Sequence, residues 1–188
     1  MHPHGLELAR WGRARLRQEL GGPAATPPSG EWCDERRATF VTLRWPDGNL
    51  HGCIGGLVAR RPIVADVAHN AVAAALHDPR SQPIRLGQVD ELDLELSILS
   101  PLERIPFRSE REALAAIRPG IDGIVLIWHE HSATFLPSMW PRLPEVPDFL
   151  GALKVKAGLP ARFWDDGFRL ERYTADKHLS TAPRAYRS

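Results

Sequence analysis

ATFVTLRWPDGNLHGCIGG, residues 38–56, decides the fold class. Ala38 to Arg44 is β-branched and aromatic, Trp45-Pro46-Asp47-Gly48-Asn49 is a turn sequence, and Leu50 to Ile54 returns as the partner, so the stretch predicts a β-hairpin. On its C-terminal side, Pro62 to His77 predicts a helix. Pro62 suits the first turn, Ile63, Val67, Ala71, Ala74 and Ala75 form an apolar stripe, and Asp78-Pro79 stops it. On its N-terminal side, Leu6, Ala9, Leu16 and Leu20 recur at near-helical spacing, and Gly21-Gly22 ends that helix. Gly21 to Asp34 is rich in Pro, Gly and Ala and reads as an irregular loop.

Further along, Leu92, Leu94, Leu96 and Ile98 alternate with Glu91, Asp93, Glu95 and Ser97, the period of a strand with one buried and one wet face. Ser109 with Glu112 fits a capping box for a helix running to about Ile117. Asp122–Trp128 and Ala133–Leu136 predict a second hairpin. Val146–Ala157 reads as a helix closed by Gly158, and Gly167–Thr174 as a last strand. The tail from 175 to 188 carries no element signal. Hairpins interrupted by single helices, without a βαβ rhythm, predict an α+β fold of mainly antiparallel sheets flanked by helices.

The 188 residues fit one domain, or one domain with a small lobe. Hydrophobic residues make up 43% and charged residues 25%, ordinary for a water-soluble protein. The net charge of +1, from 24 basic and 23 acidic residues, gives no long-range attraction to nucleic acid, though a local basic groove is compatible with it. The run Arg10, Arg13, Arg15 and Arg17 reads as a solvated helix face. Two cysteines, an opening Met1-His2-Pro3-His4 without an apolar run, and no stretch of about 20 apolar residues set the expectation of a cytoplasmic, non-membrane protein with reduced thiols.

Leu50-His51-Gly52-Cys53-Ile54-Gly55-Gly56 is the main chemical candidate. Flanking glycines permit positive φ and a close approach by a ligand. His51 and Cys53, two apart on a strand, would share a face, where an imidazolium raises the thiolate fraction needed by a nucleophile. The competing reading is a buried small side chain in a tight turn.

Asp66, His69 and Asn70 fall on one helix face, where Asp66 could orient His69 or the group could cap a loop. Asp78-Pro79-Arg80 reads as an anion anchor or as a turn fixing the chain's exit. Trp140 is either an aromatic lid or a core residue, and Glu91 with Glu95 reads as a solvated pair. His129-Glu130-His131 has the look of a metal triplet but sits at a hairpin turn without a third ligand, so no metal site is assigned. No P-loop, GxGxxG, CxxC pair, HExxH or GxSxG motif occurs.

Taken in order, ATFVTLRWPDGNLHGCIGGL, RPIVADVAHNAVAAALHDPR, ELDLELSILSPLERI, GIDGIVLI, ATFLPSMW, FLGALKVKAGLP and FWDDGFRLERYT resemble the AMMECR family, the A protein of the AmmeMemoRadiSam set. The resemblance runs from about Ala38 to Thr174. It implies one AMMECR-type domain over 1–188: an α+β fold with a larger lobe from both chain ends, a smaller lobe and a cleft between them. Leu50, Gly52, Cys53, Ile54 and Gly55 match the family's Leu-Arg-Gly-Cys-Ile-Gly segment, with His51 at the arginine. Asp78, Pro79 and Arg80 match its Asp-Pro-Arg, with Ser81 at the usual phenylalanine. Phe135, Leu136, Pro137 and Trp140 match Phe-Leu-Pro-Gln-x-Trp, with Ser138 at the glutamine.

The resemblance implies a place beside a Memo-like protein and a radical-SAM enzyme in a modification pathway acting on a nucleobase or another small aromatic substrate; no cofactor is assigned. Two readings stand open. In one, Cys53 is a thiol nucleophile in a site with His51, Gly52, Gly55, Asn70, Asp78, Arg80 and Trp140. In the other, the same cleft is a non-catalytic module for a nucleic acid or a partner protein.

Overall fold

The computed structural model describes residues 1–182 and divides into two compact units. The first comprises Met1–Leu99 and the stretch beginning at Asp176. Its hairpin pairs β1 (Thr39–Arg44) with β2 (Leu50–Gly55), closed by hydrogen bonds from Trp45 N–H to Asn49 O (2.9 Å) and from Gly48 N–H to Trp45 O (2.8 Å). Gly48 supplies the left-handed turn conformation at φ 85°. With β3 (Asp93–Leu99) and β8 (Ala175–Ser180) the hairpin forms a sheet in the order β2-β1-β3-β8. Of the tail expected at 175–188, Ala175–Ser180 is thus a sheet strand, and residues 183–188 lie outside the described range.

Helices α1 (Gly5–Glu19) and α2 (Ile63–Leu76) cover one face of this sheet. Leu8, Ala9 and Leu16 of α1 and Val67, Ala71 and Ala74 of α2 join Val41, Leu43, Leu94, Leu96 and Ile98 of the strands in one core. The period-two apolar pattern of β3 and the alanine stripe of α2 meet there, since small side chains let a helix lie close to a sheet. The arginine run of α1 is not wholly a solvated face. Arg13 is buried, donating from Nη1 to Val89 O (2.7 Å), from Nη2 to Leu92 O (2.7 Å) and Ser180 O (2.6 Å), and from Nε to Ser180 Oγ (3.1 Å). Four acceptors compensate the burial of a guanidinium that would otherwise stay in water. The expected wet face of β3 is also only partly wet, because Ser97, opposite Phe40, is buried, as is Thr42, opposite Glu95.

The second unit is Ser100–Ala175. It contains β4 (Glu103–Arg104), β5 (Gly123–Trp128), β6 (His131–Phe135) and β7 (Arg169–Tyr173) in the order β4-β7-β5-β6, with α3 (Glu110–Ala116) and α4 (Val146–Lys156). Ser109 Oγ accepts from Glu112 N–H at the start of α3 (3.3 Å), and Gly158 at φ 84° ends α4. Ile124, Leu126, Phe149, Leu153 and Leu170 lie in its separate core. Its two ends meet: Ser100 N–H donates to Thr174 O (3.0 Å), and Thr174 N–H donates to Ser100 Oγ (2.9 Å). Among the described residues no helix is long and apolar enough to cross a membrane.

Candidate functional site

The hairpin carries a β-bulge. Thr42 opposes Cys53 and Leu43 opposes Gly52, but Arg44 opposes Leu50, so His51 is the extra residue. The bulge turns the His51 ring to the helix side, where it is buried and its Nε2 donates to Ala75 O of α2 at 3.2 Å. Trp45 meets it edge-on, with ring centroids 5.5 Å apart. Cys53 points to the opposite face, with Thr42 Oγ1 donating to its sulfur at 3.3 Å. The expectation that His51 and Cys53 share a face is therefore corrected, because one inserted residue reverses the alternation on which it rested.

The glycines are explained by backbone contact within the fold. A Cβ on Gly52 would stand 2.0 Å from Ala74 O, and one on Gly55 would stand 2.2 Å from Thr39 O. Neither has a positive φ, so Gly52 admits the α2 backbone, not a ligand, and Gly55 admits its own neighbouring strand.

Asp78, just past α2, fixes the Cys53 peptide. Its buried carboxylate accepts from Cys53 N–H (2.8 Å) and from Arg80 N–H (3.0 Å), Nε (2.9 Å) and Nη2 (2.6 Å). Arg80 Nη2 also donates to Cys53 O at 3.1 Å, so the peptide groups on both sides of the Cys53 Cα are held. The Arg80 side-chain hydrogen bonds hold Asp78 well below the usual carboxylate range. Burial opposes them, and the Cys53 and Arg80 N–H groups add to the effect. Arg80 in turn keeps an exposed guanidinium edge.

In-register neighbours of a sheet share a face, which places Thr42 and then Glu95 beside Cys53. Lys177 of β8 completes the row, its Nζ 2.9 Å from Glu95 Oε1. A thiol, a hydroxyl, a carboxylate and an ammonium thus run across all four strands. Thr42, Glu95 and Lys177 escape a reading by motif, because only register and a strand from beyond the second unit bring them together.

The remaining candidates lie elsewhere. Asn70 is buried, donating from Nδ2 to Thr39 Oγ1 (2.9 Å), Thr39 O (3.2 Å) and Asp66 Oδ2 (3.0 Å). Asp66 also accepts from Thr39 Oγ1 at 2.7 Å, whereas His69 is exposed, so the orienting role drawn for Asp66 goes to Thr39 and Asn70. Trp140 belongs to the core of the second unit. It is 4% exposed, donates from Nε1 to Asp122 O (2.8 Å) and stacks on Phe149 with centroids 3.9 Å apart, which leaves no ring face for a lid. His129 is at φ 49° in the second hairpin's turn, and His131 Nδ1 donates to Ala157 O at 2.8 Å. No group of three or more His, Cys, Asp or Glu suited to a metal ion occurs among the described residues.

Comparison with known proteins gives one consistent result. A family model described as AMMECR1 matches residues 9–178. Protein MJ0810 of Methanocaldococcus jannaschii is 32% identical over 188 residues, covering 96% of this chain and 92% of its own. A Thermococcus onnurineus protein is 35% identical over 162 residues, 82% of this chain and 76% of its own. The crystal structure of uncharacterized protein PH0010 from Pyrococcus horikoshii superposes with a TM-score of 0.84 at 30% identity, over 96% of this chain and 93% of that one.

Proposed function

The chain belongs to the AMMECR1 family, and from that premise we propose that the face of the first sheet around Cys53 binds a substrate or partner, with Cys53 as its reactive group. The supporting observation is the row Cys53, Thr42, Glu95 and Lys177, in which the Thr42 hydroxyl donates to the sulfur. The Asp78–Arg80 clamp fixes the peptide that carries the thiol, and a fixed nucleophile loses less freedom on attack. Addition of the thiolate to an electrophilic carbonyl carbon forms an S–C bond. The carbonyl π pair moves onto oxygen, and the thiol proton passes to solvent, which reaches the half-buried Cys53. In this reading the chain is a component of a modification pathway that includes a Memo-like protein and a radical-SAM enzyme, and its substrate is a nucleobase or another small aromatic compound.

A second reading, a non-catalytic module for a nucleic acid or a protein, draws support from one observation. Gly52, Gly55, Asp78 and Arg80 all act on backbone geometry, and His51 lies on the other side of the sheet from the thiol.

Alkylation with iodoacetamide at pH 7, with glutathione as reference, separates the two. Under the catalytic reading Cys53 in the folded chain reacts faster than glutathione, and Thr42→Val slows it by a factor of about three or more, the scale of one hydrogen bond. Cys33 lags, because loss of solvent around it, and then the charges of Asp34 and Glu7, push its thiol up. A Cys53 that stays unmodified until the chain unfolds removes the nucleophile and leaves the binding module.

A further inference from the structure

Strand β4, the loop after it and strand β7 of the second unit border a depression of about 440 Å³. That volume lies in the range of small-molecule sites, about 300–1,000 Å³. Three arginines reach it from separate elements: Arg104 of β4, Arg108 just before α3, and Arg169 of β7. Phe107 adds an aromatic surface, and Glu112 and Asp166 add two carboxylates.

Arg169 pairs with Glu171 at 3.4 Å, and Glu171 also lies opposite Arg104 in the β4–β7 ladder. Among the described residues Arg104 and Arg108, both exposed, make no ion pair within 4.0 Å, which leaves their guanidinium groups open to an anion. Glu112 Oε2 accepts from the backbone N–H of Arg108 at 2.8 Å, which fixes this carboxylate against the loop. Guanidinium forks match the oxygens of a phosphate in a bidentate manner. Phe107 is tilted against Trp164 with centroids 5.6 Å apart, and Trp164 against Phe168 at 5.3 Å, so the aromatic surface is held in place. A fixed ring offers a stacking surface to a planar heterocycle, and carboxylates accept hydrogen bonds from hydroxyl or amino groups.

We propose that this depression binds a nucleoside monophosphate, its phosphate on Arg104 and Arg108, its base against Phe107, and its sugar hydroxyls toward Glu112 or Asp166. Every residue of this site belongs to Ser100–Ala175 and none to the unit that carries Cys53.

Calorimetric titration of the full chain with adenosine 5′-monophosphate, adenosine and inorganic phosphate tests it. Saturable binding of the monophosphate is expected, with adenosine and inorganic phosphate each at least tenfold weaker. Arg104→Glu with Arg108→Glu is expected to weaken the monophosphate at least tenfold, and Phe107→Ala to weaken it several-fold. Arg142→Glu, a matched charge change at an exposed arginine outside the depression, is expected to leave it within twofold. If the double variant loses its fold, Arg108→Gln gives the same ranking at smaller size. Absence of saturable binding at millimolar monophosphate, equal affinity for adenosine or inorganic phosphate, or an affinity unmoved by the arginine substitutions overturns the proposal.

Discussion

Asp78 accepts hydrogen bonds from Cys53 N–H and from three donors of Arg80, with no part of its carboxylate exposed. Asp78→Asn removes the charge that orders these donors and is expected to lower stability by about 2 kcal/mol at pH 7, the scale of hydrogen bonds to a charged group. The pH dependence has a definite sign. The folded state holds this carboxyl below its unfolded value of about 3.9, so as pH falls the unfolded chain takes up the proton first. The stabilisation is complete above about pH 5 and is lost progressively as pH drops below about 4. Urea unfolding of both proteins between pH 3 and pH 7 should show their difference shrinking on the acid side. His51 has a related lesson at the same scale. The ring serves as a donor to Ala75 O, a role that a guanidinium N–H can also fill.

The junction of α2 and β1 depends on a buried polar knot. Asn70 links Thr39 and Asp66, and Arg61 reaches Asp66 at 3.5 Å. Asn70→Leu leaves the Asp66 carboxylate and Thr39 O short of a donor and is expected to cost about 2–3 kcal/mol, measurable as a lower urea midpoint with an unchanged slope. Most elements are legible from local chemistry: the hairpin around Trp45–Asn49, the alanine-striped α2, and the Ser109 cap each declare themselves within a few residues. The strand Ala175–Ser180 does not, because ADKHLS has neither β-branched enrichment nor clean alternation and earns its place through the partner strand β3. The site is less legible still. Cys53, Asp78 and Arg80 can be picked out by type, but the inserted His51 reverses which neighbours the thiol meets, and no local pattern marks a bulge.

At the scale of the molecule, each unit has its own hydrophobic core, and the ends of Ser100–Ala175 are joined by the Ser100–Thr174 hydrogen bonds. A segment with its own core and adjacent ends satisfies the conditions for independent folding. Ser100–Ala175 expressed alone is expected to keep a cooperative thermal transition by circular dichroism, at a lower midpoint than the whole chain because so short a segment buries a smaller share of its surface. A featureless, non-cooperative melt would refute this. The position of β8 has a consequence for synthesis. A ribosome delivers β1, β2 and β3 first, and the strand that completes their sheet follows only after the whole of Ser100–Ala175. Until then the nascent chain holds β3 with an open pairing edge, a template for unwanted association. Asp93 and Glu95 put negative charge on that waiting strand, and when β8 docks, Lys177 neutralises Glu95. The same ion pair that crosses the sheet face in the finished protein thus marks the moment at which a solubilising charge is no longer needed.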